Sequence, residues 1–145
     1  MEAAVTKEIP HFPGYFVDTN GCVYSNLNKD KQLIVKKLHH KKSRSSGQYC
    51  DVNLYQRSIN GKGRGLRKKV HHLVLETFVG PRPINGVARH LNDNSLDNHL
   101  SNLKWGNQKE NSDDFFKNFI IKSDFFKFVE KKYPDVIKEF NDSHQ

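Results

Sequence analysis

The spacing of apolar positions changes character near residue 70. Before it, short apolar runs alternate with turn residues. Residues 14–18, the triplet Thr19-Asn20-Gly21 and residues 22–25 read as a hairpin, because Asn and Gly both tolerate positive φ. Residues 31–38 predict another strand. Residues 48–55 predict a fourth, with Tyr49, Val52 and Leu54 in partial alternation. Between them, 40–47 is basic and Ser-rich and predicts an exposed loop. Residues 58–65 hold a second Asn-Gly, Asn60-Gly61, then Gly63 and Gly65, so a turn or loose loop is expected, with a strand returning over 68–70.

From residue 70 the period lengthens. Leu73, Val74, Thr77 and Phe78 fall on one helical face, which predicts a helix over 70–79. Gly80-Pro81-Arg82-Pro83 ends it and forces an extended segment. A short strand over 87–91, a polar loop over 92–101 and a second short strand over 103–106 follow. A helix then starts near Asn107 and runs toward Ile120. Ser123 is a candidate N-cap for a further helix, with Phe125, Phe126, Val129 and Tyr133 on one side. Pro134 interrupts it, and a last turn or two carries Val136, Ile137 and Phe140. The phenylalanines Phe115, Phe116, Phe119, Phe125, Phe126 and Phe128 fit a core stripe, docking onto the core, or a homodimer through these C-terminal helices. The pattern is α+β: antiparallel strands, a strand–loop–strand–helix unit, then a helical extension. It divides into a basic β-rich part over 1–69, a core over 70–120 and a helical tail over 121–145.

Charge sharpens this picture. The 145 residues carry a formal charge of +8. Residues 1–112 hold a balance of +9 and residues 113–145 a balance of −1. Residues 29–69 alone carry 13 basic and 2 acidic side chains. Such a concentrated positive field attracts polyanions, and nucleic acid is the commonest one in a cell. Lys36, Lys37, Lys41, Lys42 and Arg44 form one expected DNA-contacting surface; Lys62, Arg64, Arg67, Lys68 and Lys69 form a second. No stretch approaches the roughly 20 apolar residues of a membrane helix. The first residues lack the basic start and apolar run of a secretory signal, so a cytoplasmic protein is expected. Cys22 and Cys50 cannot make a four-cysteine zinc cage and read as reduced thiols.

The informative stretch is ARHLNDNSLDNHLSNLKWGNQKEN. His90 ends the first strand, Asn102 stands twelve residues later before the second, and Asn111 lies on the following helix. Such an order brings a histidine and an asparagine to one concave face. Phosphodiester hydrolysis needs a base near neutral pH, which His supplies, and a hard cation, which amide and carboxylate oxygens hold.

At these residues the chain resembles the phage-type HNH homing endonucleases of the His-Me finger superfamily. The matching features are VHHLVLETFVGPRP, RHLNDNSLDNHLSNLKWG and KEN, in order and at the right spacing. IPHFPGYFVDTNGCVYSN resembles the short module that often precedes this nuclease core, so the resemblance covers roughly 9–112. It implies a ββα-metal core that hydrolyses DNA with magnesium or manganese. It implies His90 as the general base, Asn102 as the residue that fixes the finger, Asn111 as the metal ligand and Trp105 as a packing aromatic. His71 matches the histidine of the upstream Val-His element. One departure stands out. Some relatives carry an aspartate before the catalytic histidine, whereas this chain has Arg89. Asn111 is then expected to anchor the metal alone, with water and DNA phosphate completing its shell, and Arg89 to grip the phosphate or stabilise the transition state. Asp93 and Asp97 are candidate replacements for the missing carboxylate. The alternative is a DNA-binding module of the same fold with weakened catalysis.

Overall fold

The computed structural model describes residues 3–43, 47–57 and 61–143. Arg44, Asn60 and the side chains of Lys41, Lys42, Phe125, Phe126 and Phe140 lie outside that description. Strands β1 (Thr6–Glu8), β2 (Tyr15–Asp18), β3 (Val23–Ser25) and β4 (Ile34–Val35) form an antiparallel sheet in that order. Strands β5 (His39–Ser43), β6 (Gly47–Arg57) and β7 (Gly63–Lys69) form a second, and β8 (Val87–His90) with β9 (Leu103–Gly106) a two-stranded ribbon. The helices are α1 (Val70–Phe78), α2 (Gln108–Lys122), α3 (Asp124–Lys132) and α4 (Pro134–Ser143).

The expected hairpin is present at Thr19-Asn20-Gly21, with Gly21 at φ +84°. A buried carboxylate locks it. Asp18 accepts from the backbone N–H groups of Asn20 (3.0 Å) and Cys22 (2.8 Å) and from the Tyr24 hydroxyl (2.8 Å). That last bond holds the Tyr24 phenol protonated, pushing its pKa up to about 12.

Three expectations fail. The strand over 31–38 shrinks to Ile34–Val35, which pairs only with β3 and stays exposed. The loop over 40–47 is largely strand β5, hydrogen-bonded to β6 from His39↔Asp51 to Ser43↔Gly47. The strand expected over 68–70 starts earlier, at Gly63, and Val70 already belongs to α1. Backbone pairing from Arg57↔Gly63 onward overrides the local signal of the glycines.

Helix α1 is the centre of the packing. It touches strands of all three sheets. Val70, Leu73, Val74 and Leu75 are at most 1% exposed, so burial extends beyond the single face read from the sequence. A helix covered on several sides needs apolar residues on several sides. Val17, Val23, Val52 and Leu54 close the core from the two larger sheets. The C-terminal phenylalanines do not join it: Phe115, Phe116, Phe119 and Phe128 are exposed, and in the described parts of α3 and α4 only Ile137 is buried.

Leu75→Ala is expected to lower unfolding free energy by about 2–5 kcal/mol, as for other fully buried leucines. Phe119→Ala is expected to change it by no more than about 0.5 kcal/mol. Urea unfolding of the two variants checks both.

Candidate active site

The ribbon β8–β9 is in register from Val87↔Gly106 to His90↔Leu103, so His90 sits where β8 opens into the loop. The loop is polar because its own side chains satisfy its backbone. Asn92 Oδ1 accepts from Asn94 N–H, and Asn94 Oδ1 from Leu96 N–H. Asn102 spans the loop. Its Oδ1 accepts from Asn92 N–H (3.0 Å), its Nδ2 donates to Asp97 O (2.9 Å), and its carbonyl accepts from Leu91 N–H (2.9 Å). Asn102 therefore uses its side chain on the loop and does not line the cleft beside His90.

Asn107 starts α2 with a capping box. Its side chain accepts from Glu110 N–H, and the Glu110 carboxylate accepts from Asn107 N–H. Gln108, Asn111, Ser112 and Phe115 follow at helical spacing and line the cleft. Glu110 and Asp114 stand one position round and meet Arg89. The Arg89 Nε and Nη2 donate to Asp114 at 2.7 and 2.9 Å, and Nη1 lies 3.2 Å from Glu110. The Arg89 side chain, expected to grip phosphate, is thus engaged by two carboxylates of the protein. It is 11% exposed, carries a bidentate partner and does not line the cleft. Its work is to pin α2 to β8. The lack of a side chain at Gly106 leaves room for it, since a Cβ there would meet Arg89 Cδ.

His90 and Asn111 line the same cleft, of about 890 Å³, together with Asp93, Lys69, Tyr49 and His71. Asp97 is elsewhere, accepting from Asn92 Nδ2 (2.8 Å) and His99 N–H. His90 Nε2 is 3.3 Å from Asn98 Oδ1. An amide oxygen only accepts, so this contact selects the Nε2–H tautomer and leaves the Nδ1 lone pair free for a proton. Burial lowers the His90 pKa, with the Asn98 contact, Asp97 and Asp93 partly opposing it. The ring is thus a neutral base at pH 7. His71 packs edge-on against it with centroids 4.9 Å apart, and against His72 at 4.6 Å. Burial, with the neighbouring His72, His90 and Lys69, drives His71 down to about 2. His72 falls to about 4 through burial and the charges of Lys69 and Arg82.

Residues 68–113 match the HNH endonuclease family. The chain carries an HNH endonuclease unit. It is 35% identical over 114 residues, 76% of its length, to an uncharacterized HNH endonuclease of Acanthamoeba polyphaga mimivirus, and spans 25% of that relative. It is similar in structure to the HNH homing endonuclease I-HmuI, solved in a study of that enzyme's DNA binding and cleavage. The TM-score is 0.57 at 26% identity, covering 90% of this chain and 67% of that one.

Two side chains that face His90, Asn98 and Tyr49, were not among the expected site residues. Asn98 is 5% exposed and sits beside Gly21 of the N-terminal hairpin. One more Asn in an Asn-rich loop carries no distinguishing signal. Tyr49 reaches the cleft from β6, with ring centroids 5.3 Å from His71 and 6.2 Å from His90. Only sheet pairing brings it there. Trp105 Nε1 donates to Gly80 O (3.1 Å), and its ring lies 5.8 Å from His72.

The second basic group does not form one surface. Strand alternation places Lys68 with Val52 and Arg64 with Gln56, whereas Arg67 and Lys69 stand with Asn53 and Asp51. Lys68 lies over Phe12, and Arg67 pairs with Asp51 at 2.9 Å. Of this group, Lys69 lines the HNH cleft. Lys36 lies over Tyr15, and Lys37 is exposed.

Asp114→Ala should destabilise the fold by about 3 kcal/mol, because it strips a buried guanidinium of its bidentate partner, and Arg89→Leu with Asp114→Leu should recover most of that. Chemical denaturation of the single and double variants decides it. His71 gives a pH signature. Its folded pKa lies far below the usual 6.5, so between pH 6.5 and about 2 the unfolded chain binds a proton that the folded one refuses. Stability should therefore fall as pH drops below 6.5, by up to about 1.4 kcal/mol per unit from this group. His71→Phe should flatten the slope by about one proton in urea titrations between pH 6 and 4.5.

Proposed function

We propose that this chain is a metal-dependent DNA endonuclease in which His90 takes the proton from the attacking water. The carrying observation is that His90 and Asn111, from separate elements, face one open cleft. Two features support a base at His90: its pKa is lowered, and Asn98 occupies Nε2.

The donors suit a small hard cation. Asn111 offers an amide oxygen and Asp93 a carboxylate on the same cleft, the oxygen chemistry that magnesium and manganese prefer. Among the described residues no three His, Cys, Asp or Glu side chains form a metal cage, so protein ligands would be few and the DNA phosphate would complete the set. Such an ion, when bound, neutralises charge on the phosphate and the leaving oxygen. The protein's part is to hold His90 neutral and oriented, to aim Asn111 through the Arg89 clamp, and to shape the finger with Asn102. Asp93 takes the place of the carboxylate that Arg89 displaces.

Double-stranded DNA is the proposed substrate. The basic strands of residues 29–69 stand beside the cleft through Tyr49 and Lys69, which supports backbone contact from that side. No helix among the described residues is long and apolar enough to cross a membrane.

The test is relaxation of supercoiled plasmid with magnesium or manganese. Wild type should nick and EDTA should stop it. His90→Ala should lose about 10²–10⁴-fold in rate. Asn111→Ala should raise the metal concentration required for half-maximal rate. Retention of plasmid on a gel with no cleavage under any of these metals would replace the enzyme with a DNA-binding module.

A further inference from the structure

With Arg89 bound to Asp114, the cleft must find its fixed positive charge elsewhere. We infer that Lys69, seated on the face of the Tyr49 ring, contacts the phosphate being cut and stabilises its developing charge. This rests on the nuclease reading above and deepens it.

Four observations converge on the pair. Lys69 Nζ stands 4.6 Å from the Tyr49 ring centroid, and both side chains line the cleft with His90 and Asn111. A cation on an aromatic face is held in place while its N–H donors stay available. The carboxylate across the strand, Asp51, is occupied by Arg67 at 2.9 Å. Among the described residues Lys69 has no ion pair, so its charge is uncommitted. The field of Lys69 is already felt at His71 and His72, which places the ammonium over the histidine side of the cleft. The platform is also braced. Ser95 of the finger loop donates to Gln48 O at 2.5 Å, fixing the residue before Tyr49 to the loop that follows His90.

Arg82 is the other cation on the cleft. Its Nε donates to Gly86 O, and it belongs to the extended segment after α1. It has no aromatic seat in the described contacts. Preorganised charge acts on a transition state more strongly than charge that must first be ordered, which favours Lys69.

The experiment is single-turnover nicking of supercoiled plasmid with manganese, with plasmid binding measured separately in EDTA. Lys69→Gln should slow nicking about 10²-fold and weaken binding less than about threefold. Tyr49→Leu should slow nicking about tenfold, Tyr49→Phe should restore the rate, and Tyr49→Leu should add nothing in the Lys69→Gln background. Arg82→Gln tests whether any lost cation has the same effect. Equal slowing by Arg82→Gln and Lys69→Gln, or a loss in Lys69→Gln confined to binding, overturns the inference while leaving the nuclease standing. Failure of wild type to nick removes both.

Discussion

A two-stranded ribbon of four residues a side cannot bury a core of its own. Everything about the HNH unit follows from that shortage. The loop between β8 and β9 is shaped from within by Asn102 and held from without by three other elements. Thr19 O accepts from Leu100 N–H at 2.8 Å, Ser95 reaches Gln48, and Arg89 ties the ribbon to α2. Each tie joins the loop or ribbon to a part of the chain that has little else in common with the others. Helix α1 packs against the ribbon and both larger sheets and gives these strands a common floor.

The same enclosure sets the chemistry. The chain is strongly basic, yet its three clustered histidines are held neutral. Burial is the largest cause at each of them, and nearby lysine and arginine add to it at His71 and His72. A neutral imidazole beside a positive field suits proton abstraction close to an anionic substrate. The Asn98 contact and the acid groups near His90 act the other way and partly offset the effect of burial.

The sequence carried much of this arrangement, and the failures have identifiable causes. The hairpin, α1 and both ribbon strands each had a local signature (Asn-Gly, a helical face, short apolar runs), and α2 begins beside Asn107, where a helix start was expected. Strand β5 had none, because a run of lysine and histidine becomes a strand only through pairing with β6. The meeting of His90 and Asn111 at one cleft was legible because a whole series of motifs framed them. Arg89 was visible as an oddity, but its partner Asp114 lies 25 residues away and no local rule links them. Asn98 and Tyr49 share that fate. Their roles arise from contacts across loop and sheet, which periodicity does not record.

The hydrogen bond from Ser95 to Gln48 joins the HNH segment to what precedes it. The family match spans residues 68–113 and leaves the preceding strands outside it. In this chain the arm that precedes it also supplies a wall of the cleft. The segment transplanted alone would arrive with its histidine and asparagine but without the tyrosine ring and the tether beneath it. Joined to another partner, residues 68–113 would therefore lack that wall until the new neighbour supplied a matching edge.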